Sequence, residues 1–386
     1  MRKGWEYKKL GEVGQIVTGS TPSTKDESNY SPKEYCFVKP SDLPSQGIAD
    51  IEETEYFVSQ VGLSKSRVLP AGSVLVSCIG SIGKIGILTK EACSNQQINA
   101  IIPQDETDSR FIAYSLYAQR FVLESIANAP VVPIINKTDF SKIRIGIPPK
   151  STQLAIVSEL DKINELIRLK KEQLKDFDNL AQSLFYEMFG DPVENEKGWE
   201  VKKLKDISRE IGDGLHGTPE YSEVDTGCYF INGNNLENGT IVIKENTKMV
   251  SEKTKAKHYI EMDDFTILVS INGTLGKVAF YNGENVILGK SACYIKLEAY
   301  NDKKYIFELL KSDYFKRYAE SECTGTTIRN VSLKSMRNFR CPLPPLPLQR
   351  LFAQRIEQIE REKSEVQKSI QDLETLLASR MQYWFK

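Results

Sequence analysis

"LVSCIGSIGKIGIL" (Leu75–Leu88) is an apolar run broken by two glycines and a lysine, and it returns as "LVSINGTLGKVAFY" (Leu268–Tyr281) 193 residues later. Gly80, Gly83 and Lys84 fall on Gly273, Gly276 and Lys277. A phosphate-binding loop needs four residues between its glycines and a hydroxyl residue after the lysine to hold magnesium. Here two residues separate the glycines, and Ile85 and Val278 follow the lysines, which argues against nucleotide hydrolysis. The pattern predicts a β-hairpin whose glycines supply positive φ between buried strands. The second reading is a loop whose amides and lysine approach a polyanion.

The repetition extends well beyond this loop, and a long internal repeat decides architecture before any single motif does. "GWEYKKLGEV" at Gly4 recurs as "GWEVKKLKDI" at Gly198, and "CFVKPSDL" ending at Leu43 as "YFINGNNL" ending at Leu236. "FVSQ" at Phe57 answers to "MVSE" at Met249, "INK" at Ile135 to "IRN" at Ile328, and "IPPKSTQLAI" at Ile147 to "LPPLPLQRLF" at Leu343. The offset drifts only from 192 to 196, so nearly the whole chain is two copies of one unit.

At 386 residues and 40% hydrophobic content the chain can bury two or more cores. No apolar run reaches the length of a membrane span, and "MRKGWEYKK" lacks the apolar region of a signal peptide. Seven cysteines with no C-x-x-C pair suggest reduced thiols, Cys36, Cys78, Cys93 and Cys228 among them, read as small core residues. A soluble, cytoplasmic protein is expected. Two histidines, His216 and His258, are too few for a histidine-centred metal site or a conventional nucleophile–His–Asp arrangement, so no metal and no catalysis by that route are expected. Net charge is −1, with 17 basic against 16 acidic groups in residues 1–150 and 22 against 23 in 191–345. Neither half has the basic excess of a protein that binds DNA mainly through phosphates, so any nucleic-acid surface must be a local patch or rely on a partner.

Each copy divides into a mixed region and a helical tail. Short β-branched and aromatic runs such as "EYCFVKP", "GSVLVSCI", "CYFING" and "FTILVSI" alternate with Gly, Pro, Asn and Asp turns and with helical stretches. In 151–189, Ile156, Leu160, Ile163, Ile167, Leu174, Phe177, Ala181, Leu184 and Met188 follow the three-four spacing of a coiled-coil seam. Phe352, Ile356, Ile359, Val366, Ile370, Leu373, Leu377 and Trp384 repeat it in 347–385. Lys170, Lys363 and Arg380 interrupt the seams; they either set register or snorkel, and snorkelling is preferred. Pro148, Pro149 and a Ser151 cap open the first helix, Gly190 and Pro192 stop it, and Pro344, Pro345 and Pro347 introduce the second.

A helix of about 39 residues spans roughly 58 Å. Neither stripe can bury itself alone, and a unit that begins and ends near one place sends the second helix back along the first. The expected fold class is α+β: two pseudo-symmetric mixed α/β domains separated by two long antiparallel helices that form a coiled coil. The expected boundaries are 1–150 for the first domain, 151–193 for the central helix, 194–345 for the second domain and 346–386 for the C-terminal helix. A bivalent adaptor with a coiled-coil stalk and no DNA specificity fits the same pattern.

Taken together, the duplicated Gly-Trp-Glu start, the L-V-S-x-x-G-x-x-G-K loop, the Pro-Pro junctions and the matching tail helices resemble the specificity subunit of a Type I restriction–modification system. No single motif is specific; their ordered double occurrence over essentially the full chain carries the resemblance. It implies two target recognition domains, each reading one half of a bipartite double-stranded DNA site. The helices are then spacer and platform for two methyltransferase subunits that use S-adenosylmethionine to modify adenine. Two further restriction subunits would use ATP and magnesium. The chain itself would bind no cofactor and catalyse nothing, in keeping with "IPPK" and "LPPL", which are not the Asn/Asp-Pro-Pro-Tyr/Phe site of an adenine methyltransferase.

Physics then supplies the site. Half-sites lie about one helical turn apart, roughly 34–36 Å, and should differ because the two copies differ. Base edges are read chiefly by Arg, Lys, Asn and Gln, while Ser, Thr and backbone amides hold phosphates. The first half offers Thr18, Ser20, Thr21, Lys39 and Ser41, with Ser81, Lys84, Asn136 and Lys137. The second offers His216, Thr218, Tyr221, Asn232, Asn234 and Asn235, with Thr274, Lys277, Thr326, Thr327 and Arg329. For each, a solvated loop role is the competing reading. Lys84 and Lys277 recur and are the better phosphate candidates. At the helix ends, Phe185, Met188, Phe189, Trp384 and Phe385 carry more bulk than a seam needs, for packing under the adjacent domain or for docking a methyltransferase subunit.

Overall fold

The structure is a computed structural model that describes residues 2, 4–127, 132–323 and 329–386. The chain divides into two compact units, Met1–Lys171 with Lys368–Lys386, and Glu172–Gln367. The fold is α+β, and the division falls within two 40-residue helices, Lys150–Phe189 and Leu346–Phe385. Among the described residues no helix is long and apolar enough to cross a membrane.

In the first unit the opening strand Glu6–Lys9 pairs antiparallel with Arg144–Ile147, which leads into the long helix. The chain therefore enters and leaves the unit side by side. Gly146 sits where a Cβ would come within 2.7 Å of the Trp5 ring, so this glycine lets Trp5 close over the junction. A five-stranded sheet follows the order Gly14–Thr18, Ile98–Pro103, Val74–Ser77, Ile85–Leu88, Ile48–Ile51. Val74–Ser77 is buried on both faces, which is why it reads as a continuous apolar run. Val74, Val76 and Ile85 pack on Ile112 and Leu116 of helix Ser109–Ala118, while Leu75 and Leu88 face Cys36 and Val38 of a second, three-stranded sheet.

The second unit repeats the plan. Glu200–Lys203 pairs antiparallel with Arg340–Leu343. Its central sheet has four strands, in the order Ser208–Asp213, Ala292–Leu297, Thr266–Ser270, Val278–Phe280. Here Leu236–Glu237 and Thr240–Ile241 form a separate hairpin.

Within each unit the long helices run antiparallel. In the first, Glu159 meets Arg380, and Lys171 meets Glu374 at 2.9 Å; in the second, Asp178 meets Lys363 at 2.6 Å. Ile156, Leu160, Ile163 and Ile167 are buried in the one, and Leu184, Phe352, Ile356 and Ile359 in the other, as the spacing predicts. Each such side chain removed from water contributes ~2 kcal/mol.

Two of the seam cations reach a carboxylate on the facing helix while staying partly exposed. Lys363 ends on the Asp178 carboxylate of the opposite helix, and the Arg380 guanidinium embraces Glu159, with Nη2 3.0 Å from Oε2. Both pairs keep their charged ends partly in water, with side chains 31–58% exposed, so each adds only modestly to the hold between the helices.

Candidate nucleic-acid interface

The repeated loop is a hairpin built the same way twice. In the first copy the buried Ser77 hydroxyl donates to the Ser81 carbonyl and accepts the Lys84 N–H at 2.9 Å, while Gly83 N–H donates to the Ser77 carbonyl at 2.9 Å. In the second, the Ser270 hydroxyl donates to the Thr274 carbonyl at 2.5 Å and accepts the Lys277 N–H at 2.9 Å; Gly276 N–H reaches the Ser270 carbonyl at 3.0 Å. Gly80, Gly83, Gly273 and Gly276 have φ of 75, 78, 76 and 75°, the conformation that favours glycine. The hairpin reading holds.

Both loop lysines are engaged inside the protein. Lys84 Nζ donates to the Pro40 carbonyl at 3.1 Å. Lys277 Nζ lies 3.9 Å from the Glu237 carboxylate, which Lys244 already holds at 2.6 Å. Lys244 foremost, and then Lys277, holds this carboxyl below its ordinary range.

Around each hairpin loop several segments are tied into one rim. In the first unit Gly80 N–H donates to Pro133, Ile135 N–H to Cys78 and Cys78 N–H to Gln97. Ser20 N–H donates to Ser94 at 2.8 Å, and Thr18 Oγ to Asn99, whose own amide reaches the Ile135 carbonyl. These bonds bring Thr18, Ser20, Thr21, Ser81 and Asn136 together, and the Lys84–Pro40 bond adds Lys39 and Ser41. The Lys39 ammonium lies 3.0 Å from the centroid of the Tyr56 ring. Asn136 caps helix Lys137–Lys142 through the Asp139 N–H at 2.9 Å, with Lys137 exposed beside it.

The second rim has the same plan. Leu215 N–H donates to Leu288, Ile271 N–H to Ser291, Gly273 N–H to Arg329 and Val331 N–H to Ile271. His216 Nε2 is 2.7 Å from the Asp213 carboxylate, and both border a groove with Asn272, Lys290 and Asn330. Asn234, Thr218 and Thr274 are exposed, and Arg329 faces Glu320 at 3.5 Å. Asn232 accepts the Ser291 hydroxyl at 2.9 Å. Tyr221 is held instead by Phe230, at 6.3 Å between ring centroids, with Lys248 over its ring. Thr326 and Thr327 lie outside the described residues.

One candidate is corrected outright. Asn235 is 7% exposed, its carboxamide accepting the Asn232 N–H at 3.0 Å and donating to the Val242 carbonyl at 2.9 Å. It builds the turn and has no face left for a base.

The bulky helix ends are also placed. Phe185 and Phe189 are core residues of the second unit, their rings 5.8 and 4.7 Å from Tyr305, and Met188 packs on the same core. That burial withdraws both phenylalanine rings from any docking surface. The Phe385 ring lies tilted against Phe111, centroids 5.6 Å apart, and the Trp384 indole N–H donates to Glu159 at 2.9 Å.

Sequence reasoning passed over Arg67, Asn95, Gln96, Gln97 and Lys290. Arg67 donates to the Thr18 carbonyl at 2.7 Å, and Gln96 accepts the Thr21 hydroxyl at 2.7 Å. The signal was the polar run "SNQQ" between two apolar strands, matched by "GKS" in the second copy.

Fold and rim define a class: a duplicated protein that presents two versions of one polar loop platform, each joined to paired helices. The family model for the Type I restriction modification DNA specificity domain matches residues 2–176 and again 196–375, and the chain belongs to that family. Its sequence is 25% identical over 373 residues to the Type I restriction enzyme MjaIX specificity subunit of Methanocaldococcus jannaschii, covering 91% of this chain and 85% of that protein. It is 30% identical over 207 residues to the HindI specificity subunit of Haemophilus influenzae, covering 52% and 40%. Its fold is shared by a chain of a solved type I restriction–modification assembly, at TM-score 0.66, 18% identity and coverage of 100% and 98%. The S subunit from M. genitalium matches at TM-score 0.52, 15% identity and coverage of 98% and 95%.

Proposed function

We propose that this chain is the DNA sequence-specificity subunit of a Type I restriction–modification complex, with one unit reading each half of an asymmetric, interrupted site. The observation that carries the reading is the hairpin frame repeated at Ser77 and Ser270, around which the exposed side chains differ. A shared frame gives both units one way of meeting a duplex, and unlike side chains give unlike half-sites. Residues 1–150 and 194–345 would be the reading modules. The helices of 151–193 and 346–386 would set the gap and receive two methyltransferase subunits, which supply S-adenosylmethionine chemistry. Restriction subunits would bring ATP and magnesium, leaving this chain without a reaction of its own. Because net charge is −1, much of the attraction to phosphate would come from those partners.

The test is selection from a random duplex pool by the chain assembled with its methyltransferase. One interrupted sequence with two unlike parts is expected. Partner binding that ignores DNA sequence would instead make the chain a bivalent adaptor.

A further inference from the structure

The turn that follows strand Ala92–Ser94 in the first unit and the turn that follows strand Val286–Leu288 in the second are built alike. In the first unit Asn95 N–H donates to the Val38 carbonyl at 3.1 Å, Ile98 N–H to Asn95 at 3.2 Å, and Cys78 N–H to Gln97 at 2.8 Å. In the second, Gly289 N–H donates to Ile231 at 2.8 Å, Ala292 N–H to Gly289 at 3.0 Å, and Ile271 N–H to Ser291 at 3.0 Å. Bond for bond, Asn95–Gln96–Gln97 overlays Gly289–Lys290–Ser291.

The flanking side chains help to hold the turn. Asn95 Nδ2 donates to Gln97 Oε1 at 2.8 Å. Ser291 Oγ donates to Asn232 and accepts the Gly233 N–H, both at 2.9 Å, and a Cβ on Gly289 would lie 2.3 Å from Asn232 Oδ1. Only the middle residue of each turn is exposed: Gln96 in one copy, Lys290 in the other.

Their chemistry is unlike and suited to different bases. The Gln96 carboxamide is oriented by the Thr21 hydroxyl on Oε1, which keeps a second lone pair, and among the described residues both Nε2 hydrogens remain to donate. A carboxamide so placed matches the N6 donor and N7 acceptor of adenine. Lys290 forms no ion pair among the described residues; it borders the same groove as Asp213, whose carboxylate lies 2.7 Å from His216 Nε2. An ammonium group offers donors only, which suits O6 and N7 of guanine.

We infer that Gln96 and Lys290 are equivalent base-reading positions, Gln96 selecting adenine in one half-site and Lys290 guanine in the other. The inference rests on the specificity reading above. Its test is the chain assembled with its methyltransferase, carrying the exchanges Gln96→Lys and Lys290→Gln, in selection from a random duplex pool. Each exchange should change the preferred base at one position of one half-site, adenine to guanine for the first and guanine to adenine for the second. Discrimination there should shift roughly five- to hundredfold, with the other half-site untouched.

A second measurement guards against misfolded variants. Replacing the selected adenine by 7-deaza-adenine should weaken binding by the unsubstituted complex and leave Gln96→Ala indifferent. Unchanged selection by both exchange variants, from an unsubstituted complex that does select a site, overturns the inference and leaves the specificity reading standing. An unsubstituted complex that selects nothing removes both.

Discussion

Gln153 Oε1 accepts the backbone N–H of Asp108 at 2.9 Å, and Gln349 accepts that of Asp302 at 3.0 Å in the second copy. Each glutamine stands near the start of its long helix, almost fully buried, and its Nε2 donates back to the proline carbonyl before the helix, Pro148 at 2.9 Å and Pro344 at 2.7 Å. Each Asp in turn caps the helix packed on its unit's sheet. The glutamines therefore lock helix to domain. Gln153→Ala or Gln349→Ala leaves a buried donor and acceptor unpaired, and each should cost about 2–3 kcal/mol. Thermal melting checks this; a loss below about 0.5 kcal/mol would mean water replaces the amide.

The repeated hairpin depends on its serine more than on its lysine. Ser77→Ala and Ser270→Ala each delete one accepted and one donated bond at a fully buried site and should cost about 1–3 kcal/mol. Lys84→Met loses only the Pro40 contact and should be milder. Ranking the variants by denaturant midpoint settles the order.

How much of this was legible follows from the same residues. Ile156, Leu160 and Phe352 announced themselves because a helix seam is a one-dimensional pattern. Gln153 did not, because the Asp108 N–H it accepts lies 45 residues away in the chain, and Ser77 did not, because a serine that hydrogen-bonds its own hairpin reads in sequence like one that faces solvent. Asn235 is like Ser77: a loop asparagine that hydrogen-bonds its own turn looks identical in sequence to one that faces solvent. Gln96 was missed because exposure in a rigid turn is a tertiary property.

Glu159 gives a pH-dependent prediction. The Arg380 guanidinium first, and the Trp384 indole N–H after it, hold the Glu159 carboxyl below its ordinary range. A carboxyl lowered in the folded state adds stability that is present above the ordinary glutamate value of about 4.3 and is lost as pH falls through the lower folded value. The melting temperature of the unsubstituted chain should therefore drop more steeply on acidification than that of Glu159→Gln. Parallel profiles would mean the pair contributes nothing to stability.

Lys137 separates positioning from reading. It is exposed beside the Asn136 cap and forms no ion pair among the described residues. Lys137→Ala should weaken binding evenly across sequences and reduce the slope of log affinity against log salt by about 0.9, the release of one counterion, without altering the selected bases. A change in the preferred sequence would place Lys137 among the readers.

The proposed function requires that the two sister modules read independently. Its most direct test replaces residues 1–150 by the matching segment of a relative and determines the selected site of the resulting methyltransferase complex. One half-site should change while the other half-site and the gap are retained. Alteration of both half-sites would contradict it.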